Sequence, residues 1–224
     1  MMLIRMEDVC KRYQSADCSF DAVKHANLEI GEGEYVCIAG RSGSGKSTLL
    51  NMLAGLTRPS SGEIYFRDED LWKREDAAIS WIRNHDMSYM MQGFSMLGSL
   101  TLLENVMLPA QIYALKPETQ ALAVEMLHRV GLDGKENNYP RQLSGGEVRR
   151  GMIARALMNQ PSIFISDEPT DGLDEATAEV IMDLFDEIHR AGTTLLVVSH
   201  ERHFMQRAQR LYRMEAGCLS EEER

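Results

Sequence analysis

Three short stretches of the chain are apolar at nearly every position rather than at alternate ones: "YVCIAG" (35–40), "SIFISD" (162–167) and "TLLVVS" (194–199). A strand with one face in water alternates apolar and polar residues, so continuous runs of this length read as parallel strands covered by helices on both faces. Each run leads through a polar or glycine-bearing turn into a helical pattern. In "LDEATAEVIMDLFDEIHRAG", Val180, Ile181, Leu184, Phe185 and Ile188 recur at helical spacing, and Gly192 follows as a stop. The pattern predicts an α/β architecture with ligands at the carboxyl ends of the strands. Between the first two runs, "TLLENVMLPAQIYAL" and "PETQALAVEMLHRVGL" read as helices, the second with Pro117 near its first turn and Gly131 just past its last apolar residue. Residues 3–9, 26–30 and 62–67 read as short strands of a peripheral antiparallel sheet. The expected organisation is one domain over 1–224, with an α/β core and β subdomain in 1–94 and 160–224 and a helical subdomain in 95–159.

Charge narrows the partners. With 24 Lys and Arg against 34 Asp and Glu, the net charge is −10, which repels a phosphate backbone, so nucleic acid is not an expected partner. Cys10, Cys18, Cys37 and Cys218 are scattered without a paired spacing, which fits a reducing cytosol. Arg5, Glu7 and Asp8 interrupt the N-terminus before a signal sequence could form, and no run approaches the roughly 18 apolar residues of a membrane span. A cytoplasmic location follows as the expectation, with any membrane part supplied by another chain.

The first apolar run opens directly into "GRSGSGKST" and then the helical "TLLNMLAGL", which is the strand–loop–helix setting of a phosphate loop. Glycines at Gly40, Gly43 and Gly45 let the backbone curl close enough to aim N–H groups, including those at Ser42 and Ser44, at phosphate oxygens. The helix start favours negative charge, Lys46 adds a mobile cation at the β- and γ-phosphates, and the Ser47 hydroxyl suits Mg²⁺. Thr48 reads equally as a further ligand or as a residue that caps or packs the first turn.

"SIFISDEPTD" sets Asp167 and Glu168 at a strand end, where alternation sends adjacent side chains to opposite faces. Asp167 would hold Mg²⁺ through its water shell, and Glu168 would polarise the water that attacks the γ-phosphate. His200 follows the third run, placed to sense the γ-phosphate. Gln92, at the end of "YMMQ", reads either as a contact to the metal or its water or as an exposed amide before a turn. Tyr13 reads as a base-stacking aromatic or an exposed hairpin residue.

"LSGGE" at 143–147 poses a further choice. Ser144 and Glu147 have the spacing of a capping box. Two glycines in a first helical turn, however, cost about 1 kcal/mol each relative to Ala, more than a simple cap requires. Their bare N–H groups at Gly145 and Gly146 form a second place to grip an anion.

These motifs in this order (Tyr13, the loop 40–48, Gln92, "LSGGE", "IFISDE", "GLD" at 172–174 and His200) resemble the ATP-binding subunit of ABC transporters over almost the whole chain. The resemblance implies a P-loop NTPase, RecA-like core and an ATPase using ATP and Mg²⁺, with Ser47, Gln92 and Asp167 at the metal and Glu168, His200 and Gln92 in catalysis. It implies a homodimer or pseudo-symmetric dimer around two ATP. Ser144, Gly145 and Gly146 then close on the partner subunit's ATP, and Asp174 lies in the dimer loop. Transmembrane permease subunits would hold the protein on the cytoplasmic face of the membrane. "FSMLGSLTLLENVMLP" and "LSGGEVRR" look like the macrolide-exporter, lipoprotein-release and cell-division group, whose non-transport members regulate an envelope machine. Asp171-Gly172 departs from the Gly-Asn usual in that group, and Glu147 from the commoner Gln.

Overall fold

The structure is a computed structural model that describes residues 1–14, 19–93, 96–113 and 117–222. Two long strands, β1 (Met2–Gln14) and β2 (Ser19–Gly31), precede β3 (Tyr35–Ala39), which is the first apolar run. Then come α1 (Lys46–Leu53), β4 (Ser61–Phe66), β5 (Glu69–Asp70), α2 (Asp76–His85) and β6 (Met87–Met90). Three helices follow, α3 (Leu102–Tyr113), α4 (Thr119–Arg129) and α5 (Gly145–Leu157). The chain finishes with β7 (Ile163–Asp167), α6 (Glu175–Arg190), β8 (Thr194–Val198), α7 (Arg202–Arg207), β9 (Arg210–Glu215) and β10 (Cys218–Glu222).

The strands form two sheets, an antiparallel one in the order β2-β1-β4-β5 and a second in the order β10-β9-β3-β8-β7-β6. In the second, β9, β3, β8, β7 and β6 run parallel and β10 closes one edge antiparallel. The continuous apolar runs have a direct explanation there. Val36, Ile38, Ile163, Ile165, Leu196 and Val198 enter one hydrophobic core with α1 and the antiparallel sheet. Their alternate neighbours Tyr35, Cys37, Phe164, Leu195 and Val197 enter a second core with α3 to α6. Both faces of these strands are covered, so neither set of positions tolerates a polar residue.

Several boundaries differ from the expectation. Strands β1 and β2 are 13 residues each, longer than the short strands predicted. Asp8 and His25 take left-handed backbone angles (φ 50° and 47°) and the register shifts beside Val9, so the period of two breaks inside each strand. Val180 lies at the margin of the α6 stripe and is 47% exposed, while Met182 on the other margin is buried. Pro117 lies two residues before α4, near its first turn. Cys10 and Cys218 are free thiols, and Cys18 lies outside the described residues, as do positions 94–95 where the helical segment was expected to begin. Among the described residues no helix is long and apolar enough to cross a membrane.

A fully buried amide stitches the entry to α3. Asn105 Oδ1 accepts from Leu97 N–H at 2.8 Å, and Nδ2 donates to the carbonyls of Leu97, Leu100 and Thr101 at 3.1, 3.1 and 2.9 Å. Asn105→Leu leaves the Leu97 N–H and the Leu100 carbonyl unpaired beside an apolar side chain, while the Leu97 and Thr101 carbonyls keep the N–H groups of Leu100 and Asn105, and is expected to cost about 3 kcal/mol, read as a lower urea midpoint at unchanged slope.

Candidate nucleotide site

Strand β3 ends at Ala39 and α1 begins at Lys46, so residues 40–45 turn the chain sharply from sheet to helix. Gly45, the N-cap of α1, has φ 109°, and a Cβ there would collide with the carbonyl oxygen of Ala22. A Cβ at Gly40 would collide with the carbonyl oxygen of Met214. The turn therefore needs glycine for close packing against β2 and β9 as well as for backbone freedom. Inside it, Lys46 Nζ donates to the carbonyls of Gly40 and Arg41 at 2.7 and 3.0 Å, which wraps the loop around the ammonium. The hydroxyl of Ser44 is buried and has no partner among the described residues. The first N–H groups of α1 likewise have no intrahelical acceptor, so the loop presents an array of donors with positive charge at its centre.

Two strand ends complete the site. Ser47 Oγ donates to Asp167 Oδ2 at 2.6 Å, joining the start of α1 to the end of β7. Burial pushes the Asp167 carboxyl above the usual carboxylate range, opposed by the Ser47 hydrogen bond and the Lys46 charge. Glu168 was expected to face the opposite side from Asp167. Instead it leaves the extended conformation, with φ 49°, and its N–H donates to Val198 O at 2.8 Å. That turn cancels the strand alternation and brings both carboxylates onto the wall of one cavity. The Glu168 side chain, 9% exposed, meets Nδ1 of His200 at 2.9 Å. Because a carboxylate only accepts, Nδ1 carries the proton of this contact, and Nε2 is left for another partner.

The cavity has a volume of about 650 Å³. It is lined by Gly40, Arg41, Ser42, Gly43, Ser44, Gly45, Lys46, Ser47 and Thr48, together with Gln92, Asp167, Glu168, Asp171 and His200. Residues as far apart in sequence as 40 and 200 are thus gathered at the carboxyl ends of β3, β7 and β8. Tyr13 is not among the lining residues; it pairs with Phe20, ring centroids 5.6 Å apart, and Phe20 is the aromatic that lines the cavity. Phe20, Asp21, Ala22, Ala216 and Gly217 have no local motif to announce them. Their link to the loop is tertiary, through Gly217 N–H donating to Ser44 O at 3.0 Å and Lys24 N–H to Gly217 O at 2.8 Å.

Ser144, Gly145, Gly146 and Asp174 lie outside this cavity's lining. Ser144 caps α5: its Oγ accepts from Glu147 N–H at 3.3 Å, Glu147 Oε2 accepts from Ser144 N–H at 2.8 Å, and Lys135 fastens the Glu147 carboxylate. The reason for the two glycines divides. Gly145 is exposed and open, but Gly146 is buried, and a Cβ there would collide with the methyl of Thr177 on α6. Helix packing by itself therefore calls for glycine at 146. Thr177 is held in turn by the cap of α6, its N–H and Oγ1 donating to the Asp174 carboxylate at 3.0 and 2.7 Å.

Comparisons with known proteins agree with this fold. A profile of the ABC transporter family matches residues 23–171. The chain is 36% identical to MJ0796, a bacterial ABC transporter cassette of dimeric structure, over 99% of this chain and 98% of that one, with a TM-score of 0.91. The same figures hold for MJ0796 in a dimeric post-hydrolysis state bound to ADP and Pi. The ADP conformation of MJ1267, an ATP-binding cassette of an ABC transporter, is 25% identical over 98% of this chain and 90% of that one, with a TM-score of 0.84. By family match, coverage and fold, the chain belongs to the ABC transporter family, as an ATP-binding cassette homologous to dimeric members.

Proposed function

We propose that the chain is an ATP-hydrolysing motor subunit that binds ATP in the 40–48 loop, dimerises around two nucleotides and drives a separate membrane protein. The observation that carries this reading is the gathering of Ser47, Asp167, Glu168 and His200 at the mouth of one phosphate loop. Lys46 exchanges its bonds to Gly40 and Arg41 for phosphate oxygens, and the loop N–H groups take the rest of the charge. Glu168 accepts a proton from the attacking water, and the His200 Nδ1–H holds its carboxylate in place.

The donor set fits Mg²⁺. Among the described residues there is no cage of three or more His, Cys, Asp or Glu side chains, but Mg²⁺ is ordinarily held by one or two protein oxygens plus substrate phosphates. The Ser47 hydroxyl and the Asp167 carboxylate, already in contact, are hard oxygen donors of that kind, and Gln92 on the same wall adds a third. When bound, the ion neutralises charge on the phosphates. The MJ0796 dimer bound to ADP and Pi supports hydrolysis and dimerisation. The "FSMLGSL" and "LSGGEVRR" segments support a place in the macrolide-exporter, lipoprotein-release and cell-division group.

Phosphate release from ATP with and without Mg²⁺ tests the chemistry. Lys46→Ala is expected to lower the Mg²⁺-dependent rate by about 10²-fold or more, the scale for one lost electrostatic stabiliser. Transfer of the γ-phosphate to an acceptor other than water refutes the ATPase reading. Capture of the membrane partner tests the coupling: a multispanning chain is the expected result, and a partner with an enzymatic or scaffold arm points instead to a regulatory ATPase.

A further inference from the structure

Asp171 makes contacts that the proposed reaction leaves unused. Its carboxylate accepts from Gln92 Nε2 at 3.3 Å, and its carbonyl oxygen accepts from Arg149 Nη2 on α5 at 3.2 Å. Its N–H donates to Glu168 O at 3.2 Å, closing the turn that begins at the proposed base. Asp171, Gln92 and Glu168 all line the cavity. The backbone of Asp171 is therefore anchored from two sides, while its side chain holds one end of a neighbouring amide.

That contact has a chemical direction. An ionised carboxylate accepts hydrogen bonds and donates none, whereas a carboxamide has a donor end and an acceptor end. Beside Asp171, Gln92 gains a bond only by turning its NH₂ toward the carboxylate. Its Oε1 is thereby left over, and no described residue donates to it. Oε1 is also the one atom of that side chain able to ligate a hard cation.

We propose that Asp171 is a positioning residue that fixes the orientation of the Gln92 carboxamide, so that its oxygen is the end presented to Mg²⁺. The inference rests on the reading of the cavity as a Mg²⁺–ATP site. It also accounts for the extra negative charge at 171, because partners that orient a ligand set metal affinity almost as strongly as the ligands themselves. Through Arg149, the orienting loop is also tied to the helix that begins at Ser144.

The full chain is loaded with a non-hydrolysable ATP analogue, and Mn²⁺ binding is followed by electron paramagnetic resonance as a stand-in for Mg²⁺. Asp171→Ala is expected to weaken Mn²⁺ about tenfold, Gln92→Ala by a similar factor, and the double variant no further than either. Asp171→Asn, whose amide accepts but also permits the reversed pairing, is expected to fall between parent and Asp171→Ala. Undiminished binding of the analogue without metal confirms that each variant is folded. Parent-like Mn²⁺ affinity in Asp171→Ala overturns the proposal and leaves the Mg²⁺–ATP reading standing. A full loss on adding Asp171→Ala to Gln92→Ala also overturns it, since charge alone then accounts for the effect. Absence of nucleotide-dependent Mn²⁺ binding in the parent removes the Mg²⁺–ATP reading itself, and the proposal with it.

Discussion

Glu168→Gln is expected to bind ATP as the parent does and to lose turnover by about 10²-fold or more, the usual contribution of a positioned general base. The substitution is close to isosteric. The amide oxygen still accepts from His200 Nδ1–H, and the phosphate loop, which makes no side-chain bond to Glu168, is untouched. What disappears is a basic oxygen able to take the proton of water. With ATP bound and not consumed, the two-subunit sandwich is expected to persist, so the variant elutes as a dimer with ATP and as a monomer with ADP. Equal phosphate release by variant and parent removes Glu168 from its role.

The same residue shows where sequence reading succeeds and where it stops. Strands β3, β7 and β8 were legible because each is covered on both faces and is therefore apolar throughout. The phosphate loop was legible because its demands are local: a glycine-bearing turn, a cation and a helix start in one short stretch. The orientation of Glu168 was not legible. Strand alternation predicted opposite faces for Asp167 and Glu168, and only the left-handed turn at Glu168, held by Val198 of the neighbouring strand, reverses this. Phe20 was hidden for a related reason, since its place at the cavity comes from the pairing of β1 with β2 and from no motif of its own. Strand β10 lies at the sheet edge and β9 next to it, both with charged residues along them, so they lack the apolar signature of the central strands. Gly146 stands out in the sequence as a costly residue for a helix, but the packing demand for it, the methyl of Thr177, lies on a helix about thirty residues away along the chain.

Ser144→Arg is expected to separate the two phosphate grips of the chain. The start of α5 does not line the cavity that holds the 40–48 loop, so ATP binding by the isolated subunit stays intact. The capping hydroxyl is lost, which costs about 1 kcal/mol, too little to unfold a chain of this size but visible as a lower melting temperature. If Ser144, Gly145 and Gly146 close on the partner subunit's ATP, a bulky side chain at the exposed position 144 keeps the two subunits apart and abolishes hydrolysis that depends on subunit concentration. Gly146→Val is the contrasting variant. It drives a branched side chain into Thr177 and is expected to lower stability by several kcal/mol through misfitted packing of α5 on α6. The two substitutions are two positions apart in sequence, yet one is expected to break an interface and the other a core. Loss of monomer ATP binding in Ser144→Arg, or concentration-dependent turnover equal to the parent's, overturns this division, because the exposed cap would then serve either the chain's own nucleotide or only its own helix.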